Sequence, residues 1–287
     1  MIDASRFPGA PRYGLLVLPA GILFAPFYAA MTLIGAISFV EYPALRDGII
    51  NITLNNYELA LLDSFNFEVL LRTIRLGLVV GALSAVLATP MAYGIARASR
   101  RDLQLTLILL TIIPFLVNAL VRVFALTTVL GREGFLNFVL VNIRIVDRPS
   151  SFLRSEFAVV MGQTYFVVPF AILIITALMA KLNENIEHAA STLGAGPWQV
   201  FFKVTLPRLY PAIFSAGLIG YALSVSAFVV PLILGGDQYK MYSNLIFDQV
   251  AFRGDFGRAA AMAVVLLIVS VALAELLRLA VRRIAGR

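Results

Sequence analysis

Long uncharged, apolar stretches recur along this chain and set its pattern of hydrophobic and polar positions. Five contain no Asp, Glu, Lys or Arg: Tyr13–Val40 (28 residues), Leu76–Ala96 (21), Leu103–Val121 (19), Phe157–Ala180 (24) and Leu209–Gly236 (28). Each is long enough to cross a hydrocarbon core about 30 Å thick, which takes roughly 20 helical residues. A sixth run, Ala259–Ala274, has 16 residues and becomes long enough if Glu275 and Arg278 reach the headgroups. The pattern predicts six transmembrane helices in an all-α integral membrane protein.

The predicted organisation is a single transmembrane domain over residues 1–287. With their flanking turns, the six helices are expected at 13–40, 70–97, 103–130, 156–180, 209–236 and 258–281. The segment 181–208 is expected to be a long loop outside the bilayer.

Composition supports a membrane protein and excludes several kinds of site. Hydrophobic residues make up 60% of the chain and charged residues 14%, whereas soluble domains carry roughly 25% charged residues. Cysteine is absent and histidine occurs once, so neither a thiolate nor a multi-histidine metal site is possible. No cluster of catalytic residue types occurs, and we expect neither a catalytic site, a metal site nor a cofactor in this chain.

The net charge of +7 predicts the orientation of the chain. With six spans, both termini, the 97–102 turn and the 181–208 loop lie on one side. That side carries 12 positive residues and 5 negative ones, which accounts for the whole excess. By the positive-inside rule it is the cytoplasmic side. A nucleic-acid-binding role gains no support, because no basic patch lies on a soluble domain.

The 181–208 loop has the pattern of two short amphipathic helices outside the membrane. Pro197 suits the first turn of the second helix, where its missing N–H costs nothing. Gly194 and Gly196 can supply the positive φ that ends the first helix. An ordinary connector lying on the headgroups is the alternative interpretation.

Residues within this loop resemble the signature loop of permease subunits of bacterial ABC importers. That signature is E-A-A, three residues, G, nine residues, I, any residue, L-P, and here it is matched by Ala189, Ala190, Gly194 and Val204 to Pro207. His188 departs from the pattern, because it occupies the family's acidic position and Glu187 precedes it. Further segments are similar to spermidine/putrescine permeases of the PotB type: Thr53–Tyr57, Leu61–Asp63, Phe67–Leu71, Ile113–Arg122 and Gly134–Asn137.

The resemblance implies a type I ABC importer permease (MetI-like) fold in a bacterial inner membrane, with both termini cytoplasmic. It implies that the loop is a coupling helix that inserts into a groove of an ATPase subunit. The expected partners are a homologous second permease, two ATPase subunits that bind ATP and Mg²⁺, and an extracytoplasmic solute-binding protein. The residues assigned to ATPase coupling are Glu187, His188, Ala189, Ala190, Leu193, Gly194, Ala195, Trp198, Leu206 and Pro207.

The search for an energy source agrees with an external ATPase. The sequence has no G-x-x-x-x-G-K-[ST] phosphate loop, which ATP binding of the Walker type requires. A proton- or sodium-driven carrier is expected to place acids near the bilayer midplane, and none of the six predicted spans has one at its centre. A stand-alone secondary carrier therefore remains the more remote alternative.

A few polar and aromatic residues within the spans could line a solute path. The candidates are Asn118, Arg122, Gln163, Tyr165, Tyr221, Ser224 and Phe228. A polyamine could be bound by aromatic faces through cation–π contacts and by acceptor oxygens, although Arg122 would repel such a cation. Hydrogen bonding between helices is the alternative role for each of these residues.

We therefore expect an ABC permease subunit, not itself an enzyme, that passes a small polar solute, with a polyamine favoured. An opine, an amino-acid derivative, a phosphonate or iron remains open as the solute.

Overall fold

The computed structural model describes residues 10–41, 51–145, 148 and 150–285. Within these residues the regular elements are helices joined by turns and loops, with one isolated β-bridge between Val40 and Ile52. Side chains at 10–20, 282, 284 and 285 are not described. Of the charges counted above, Asp3, Arg6 and Arg287 lie outside the described residues, and so do the side chains of Arg12 and Arg282. The helices are α1 (Ala10–Ile37), α2 (Asn55–Leu62), α3 (Ser64–Ala96), α4 (Arg101–Leu116), α5 (Ala119–Leu130), α6 (Phe135–Asn142), α7 (Glu156–Met179), α8 (Asn185–Thr192), α9 (Pro197–Val225), α10 (Tyr242–Ala251) and α11 (Phe256–Ala285).

Five segments of the described chain are long and apolar enough to cross a membrane. They are Ser64–Ala96, Ala119–Asn142, Glu156–Met179, Pro197–Val225 and Phe256–Val281. The described side chains of α1 add a shorter apolar helix, Gly21–Ile37. The all-α integral membrane class predicted from the hydrophobic pattern is confirmed.

Two of the predicted spans are interrupted in the structure, and polar or proline residues mark both breaks. In the third, α4 ends after Pro114, and Val117 is extended with ψ 132°. Asn118 then caps α5 by accepting a hydrogen bond from the Leu120 amide at 2.9 Å. In the fifth, α9 ends at Val225, and a π-helical turn follows at Pro231–Gly235. Hydropathy is continuous across both breaks, so the apolar runs alone do not reveal them.

At the second break, two side chains donate hydrogen bonds to backbone carbonyls that follow the end of α9. The Asn244 amide donates to the Phe228 carbonyl at 3.0 Å, and the Ser243 hydroxyl donates to the Ala227 carbonyl at 2.6 Å. An unpaired carbonyl in a membrane interior would cost several kcal/mol. The interruption of α9 is therefore a stable feature of the fold.

The chain divides into two compact units. The first takes the described residues up to Ser64 together with Ile246–Ile268. Within it, the Asn56 side chain donates to the carbonyls of Ser38 (3.1 Å) and Val40 (2.9 Å). A Cβ at Gly257 would lie 2.1 Å from the Val40 carbonyl oxygen, so glycine is required where α11 begins.

The second unit contains Phe65–Leu245 and the chain from Val269 onward, and close helix packing organises it. A Cβ on Gly81 of α3 would lie 2.5 Å from the Gly217 carbonyl oxygen and 2.9 Å from the Tyr221 amide nitrogen of α9. Gly77, one turn earlier, lies against the side chains of Tyr221 and Val225. The Gly77-x-x-x-Gly81 pattern thus brings α3 and α9 of the same chain into backbone contact, the arrangement that small residues permit between membrane helices.

Helix α7 packs along α9 and completes the core of this unit. Alanines from α3 and α9 interdigitate with α7 in one buried cluster, formed by Ala88, Ala92, Ile95, Ala171, Ile172, Ile175 and Ala216. A second cluster lies where α7 gives way to the 181–208 loop and contains Met179, Leu209 and Ala212, with Tyr93 and Leu182 against them. Leu182 of the loop packs in this second cluster, which therefore joins the loop to α3, α7 and α9.

Candidate functional site

The 181–208 loop contains one separate helix, α8, and the first turns of α9. Gly194 follows α8 with φ +86° and turns the chain, as predicted. The expectation of a positive φ at Gly196 was wrong: its φ is −70°, and it precedes Pro197 as the cap of α9. The prediction of a second short helix was also wrong, because α9 runs from Pro197 through a π-helical stretch, Val200–Thr205, into the span. The end of the loop is therefore continuous with a membrane helix.

Large apolar side chains project from the turn between α8 and α9. Leu193 is 89% exposed and Trp198 is 75% exposed. His188, Ala189 and Pro207 are also exposed, whereas Ala190, Ala195 and Leu206 are half-buried. A soluble surface rarely leaves a leucine and a tryptophan this exposed side by side unless a partner covers them. Of the predicted coupling residues, Leu193, Gly194 and Trp198 thus lie on one exposed turn between α8 and α9, which we call the exposed turn, whereas Leu206 and Pro207 lie further along α9.

Glu187 does not face outward with them. It is buried and holds Arg97, which directly follows α3, through two hydrogen bonds: Nε to Oε2 at 2.9 Å and Nη2 to Oε1 at 2.8 Å. The remaining Nη1 donates to Glu184 at 2.8 Å. The side chains of Arg97 and Glu187 are 13% and 10% exposed, so this is a two-pronged ion pair largely shielded from water. We call Arg97, Glu184 and Glu187 the clasp.

The electrostatics of the clasp favour its charged form. Burial is the largest influence on Glu187 and raises the pKa of its carboxyl, but the hydrogen bonds and charge of Arg97, with the charge of Arg208, outweigh it. The pKa of Glu187 therefore lies below its ordinary value of 4.5. The hydrogen bond to Glu187 in turn raises the pKa of Arg97 above its ordinary value. Removing one member of such a buried pair costs about 3–5 kcal/mol, because the other charge stays buried without a partner.

A row of aromatic rings forms a second connection between α3 and the exposed turn. Tyr93 of α3 contacts Phe201 edge-on, with ring centres 4.9 Å apart. Phe201 contacts Phe202 at 5.0 Å, and Phe202 stacks on Trp198 at 6.0 Å. The exposed Trp198 thus contacts Phe202, and the row of rings continues to Tyr93, at the same end of α3 as Arg97.

A second candidate site is a small cavity between α5, α7 and the end of α9. It has a volume of about 250 Å³ and is lined by Gln163, Ser224 and Phe228 of the predicted pathway, with Phe166 and Phe170 beside them. The Ser224 hydroxyl donates to Gln163 Oε1, and Gln163 Nε2 donates to Met241 Sδ at 2.9 Å. The cavity therefore presents aromatic faces around one anchored amide.

Arg122 lies on the ring of Phe166, which lines this cavity. Its guanidinium carbon is 4.2 Å from the ring centre, a cation–π contact. Nε and Nη1 are buried and have no hydrogen-bond partner among the described residues. The positive charge late in the third predicted span thus lies against the face of Phe166, with two of its guanidinium nitrogens unpaired among the described residues.

The other three predicted pathway residues lie elsewhere. Tyr165 is 42% exposed and borders a wider groove beside Pro114 and Pro169. Tyr221 is buried and lines an apolar cavity of about 630 Å³ that also contains Tyr210 and Leu277. Asn118 caps α5. The structure brings four of the seven candidates to one place and separates these three.

Sequence reasoning missed Arg97, Glu184, Phe166 and Met241. Arg97 entered the prediction only as one of many positive charges near the membrane. A signal for the clasp was present, since Glu184 and Glu187 are three residues apart and so lie on the same face of a helical turn. No comparable signal indicates that Phe166, one phenylalanine among 21, contacts Arg122.

Comparison with known proteins places this architecture in a family. Residues 77–286 match the model of the binding-protein-dependent transport system inner membrane component. The chain is 31% identical over 217 residues to the spermidine/putrescine transport system permease protein PotB of Escherichia coli (strain K12), covering 76% of this chain and 78% of that protein. It is 27% identical over 237 residues to PotB of Haemophilus influenzae, covering 82% of each.

A solved structure shares the fold. The chain superposes with a TM-score of 0.70 on a chain of the bacterial alginate ABC transporter in complex with an alginate pentasaccharide-bound periplasmic protein, with 19% identity and 96% of each chain covered. The matched segment, residues 77–286, contains the clasp, the exposed turn and the cavity. The chain belongs to the family of inner membrane components of binding-protein-dependent transport systems.

Proposed function

We propose that this permease subunit carries a polyamine, spermidine or putrescine, across the inner membrane after delivery by a binding protein. The observation that carries the proposal is the 31% identity to PotB over 76% of the chain. The cavity at Gln163 supports it, because a primary ammonium group can lie on the faces of Phe170 or Phe228, away from Phe166, whose face is taken by Arg122. The amide oxygen of Gln163 offers such a cation an acceptor inside the bilayer.

The proposed complex contains this chain, a homologous second permease, two ATPase subunits that bind ATP and Mg²⁺, and an extracytoplasmic binding protein. The exposed turn with Leu193 and Trp198 is the proposed contact with an ATPase. Two large apolar side chains of this kind fit a groove on a soluble subunit and are costly to leave in water. This assignment makes the 181–208 side of the chain cytoplasmic, in agreement with the distribution of charge.

Within this complex, transport is a two-state process. ATP binding closes the ATPase pair and draws the coupling loops together, and the solute path then opens outward. Hydrolysis returns the path to the inward-facing state. The solute and the partner subunits bind the two states of this chain with different free energies, and the chain itself takes part in no covalent step.

A ligand screen on the purified binding protein of the same system tests the solute. Calorimetric titration with spermidine, putrescine, ferric iron, a phosphonate and an acidic sugar derivative separates the candidates. We expect a polyamine to bind and the others not to. Tight binding of an anionic solute with no polyamine binding would refute the polyamine assignment and would give Arg122 the role of balancing that negative charge.

The docking surface is tested by co-purification. Replacement of Trp198 by Asp places a charge in the proposed apolar contact, and we expect it to release the ATPase from the detergent-solubilised complex. The matched control is Phe252→Asp, on a similarly exposed aromatic residue that follows α10 and lies outside the candidate spans, which should leave the ATPase bound. Retention of the ATPase by the Trp198 variant would show that the exposed turn is not the contact.

A further inference from the structure

We infer that Arg97 is the positioning residue that makes the ATPase-docking turn and helix α3 move as one body, through a clasp that stays closed during the transport cycle. The inference rests on the proposed function, since it needs an ATPase at the exposed turn. It adds a route by which movement of that turn reaches the membrane helices.

The contacts on the α3 side of the loop are rigid. Arg97 uses three of its guanidinium nitrogens on two carboxylates of the α8 region, with all three distances between 2.8 and 2.9 Å. A guanidinium held in this forked geometry resists both sliding and rotation. The row from Tyr93 through Phe201 and Phe202 to Trp198 adds a second set of contacts to the same end of α3.

Two other parts of the loop, Gly194 and the start of α9, have backbone conformations that differ from a regular α-helix. Gly194 has open space around its Cβ position and a left-handed φ of +86°, a conformation that only glycine adopts freely. The first turns of α9 are π-helical from Val200 to Thr205, a wider winding that interrupts regular helices and is frequent at functional sites. A displacement of Leu193 is therefore carried to α3 through the clasp and a displacement of Trp198 through the rings, while Gly194 lets the two sides of the turn adjust to each other.

Helix α3 can pass such a displacement on, because it packs closely against both α9 and α7. Gly77 and Gly81 bring it into backbone contact with α9, so it cannot shift without changing that crossing. Its alanines at 88 and 92 pack on α7 in the buried cluster. Helix α7 carries Gln163 and Phe166 of the cavity. A movement of the Arg97 end of α3 thus reaches the proposed solute site through direct contacts between packed helices.

Measurements on the full complex in proteoliposomes, with the binding protein and spermidine present, test this inference. For Arg97→Gln and Glu187→Gln we expect the solute transported per ATP hydrolysed to fall by about tenfold, with the ATPase still bound and active. The double variant should be no worse than either single one, because both remove the same interaction. Arg101→Gln, an exposed arginine at the start of α4, is the matched control and should transport normally.

Two further variants separate positioning from mere stability. The exchange R97E/E187R keeps a charge pair in reversed order and should restore part of the coupling. The chain has no cysteine, so R97C/E187C can be joined by a short bismaleimide of about the length of the lost side chains. We expect the variant to be uncoupled before the crosslink and coupled after it.

Each outcome bears on the inference. Normal coupling in Arg97→Gln, or a crosslinked complex that hydrolyses ATP without transport, would overturn it, since the clasp would then be dispensable or would have to open. If Arg97→Gln does not assemble, the exchange and the crosslink decide the question. A wild-type complex that retains no ATPase would refute the proposed function itself, which is a distinct result.

Discussion

Single residues of the 181–208 loop divide into an inward-facing set and an outward-facing set. Glu187 is buried on Arg97, while His188, the next residue, is exposed. The acid expected at position 188 from the family signature is thus displaced by one position and turned inward. Because one step along a helix rotates a side chain by about 100°, the exposed turn presents an imidazole and apolar groups where an acid was expected.

Gly194 supplies the prediction that most directly probes the loop backbone. Gly194→Val forces a β-branched residue into a left-handed conformation at a cost of about 1–2 kcal/mol, although a Cβ there would meet nothing within 4 Å. We expect the ratio of transport to ATP hydrolysis to fall in reconstituted complexes, with insertion of the subunit unchanged. Gly194→Asn, a residue that tolerates positive φ, should keep most of that ratio. Normal coupling in the valine variant would contradict a role for this turn.

The acid dependence of the clasp follows from the lowered pKa of Glu187. A carboxyl whose pKa is lower in the folded state stabilises the fold above its unfolded pKa and loses that contribution as the pH falls through the folded value. The wild type should therefore exceed Glu187→Gln in thermal stability by a constant amount from about pH 8 to about pH 5. The difference should shrink only below the ordinary value of 4.5. A difference that changes between pH 5 and 8 would point to another titrating group.

At the scale of helices, the crossing of α3 and α9 depends on glycine. Both atoms that would contact a Cβ on Gly81 within 3.0 Å belong to the backbone of α9, so no rotamer change relieves the overlap. Gly94, on the same helix, has nothing within 4 Å of its Cβ position. The two positions form a matched pair for measuring the value of close packing.

Gly81→Ala should lower the stability of the detergent-solubilised protein by about 1–3 kcal/mol, since the two helices must separate. Gly94→Ala should be neutral or slightly stabilising, because alanine is the better helix former. Thermal unfolding followed by circular dichroism measures both. Equal effects at the two positions would mean that the α3–α9 contact does not limit stability.

Hydrophobic run length predicted the helical membrane class, because burial in lipid requires long apolar segments. It could not reveal the break at Asn118 or the π-helical turn at Pro231, where hydropathy stays high while the backbone leaves the α-helix. Pattern and spacing predicted the turn at Gly194 but not the continuation of Pro197 into a membrane helix. The clasp and the Arg122–Phe166 contact join residues distant in sequence. The spacing of Glu184 and Glu187 indicated a shared helix face but not that Arg97 is their partner.

As a whole molecule, this chain is a multi-pass inner membrane protein and the permease subunit of an ABC importer. It is not an enzyme, and such a subunit works with an ATPase and a binding protein. The sequence has neither a Walker-type phosphate loop nor an acid at the centre of a predicted span, which agrees with energy supplied by the ATPase of such a system. The exposed turn is the proposed contact for the ATPase, and the clasp connects the α8 side of that turn to the end of α3.

The most direct test of the central claim is uptake of labelled spermidine by proteoliposomes that contain the purified complex, with the loaded binding protein outside. We predict uptake that requires ATP inside the vesicles and that a proton or sodium gradient alone does not support. Vesicles containing this chain without the ATPase should take up nothing. Uptake driven by an ion gradient in those ATPase-free vesicles would contradict the account and identify the chain as a stand-alone carrier.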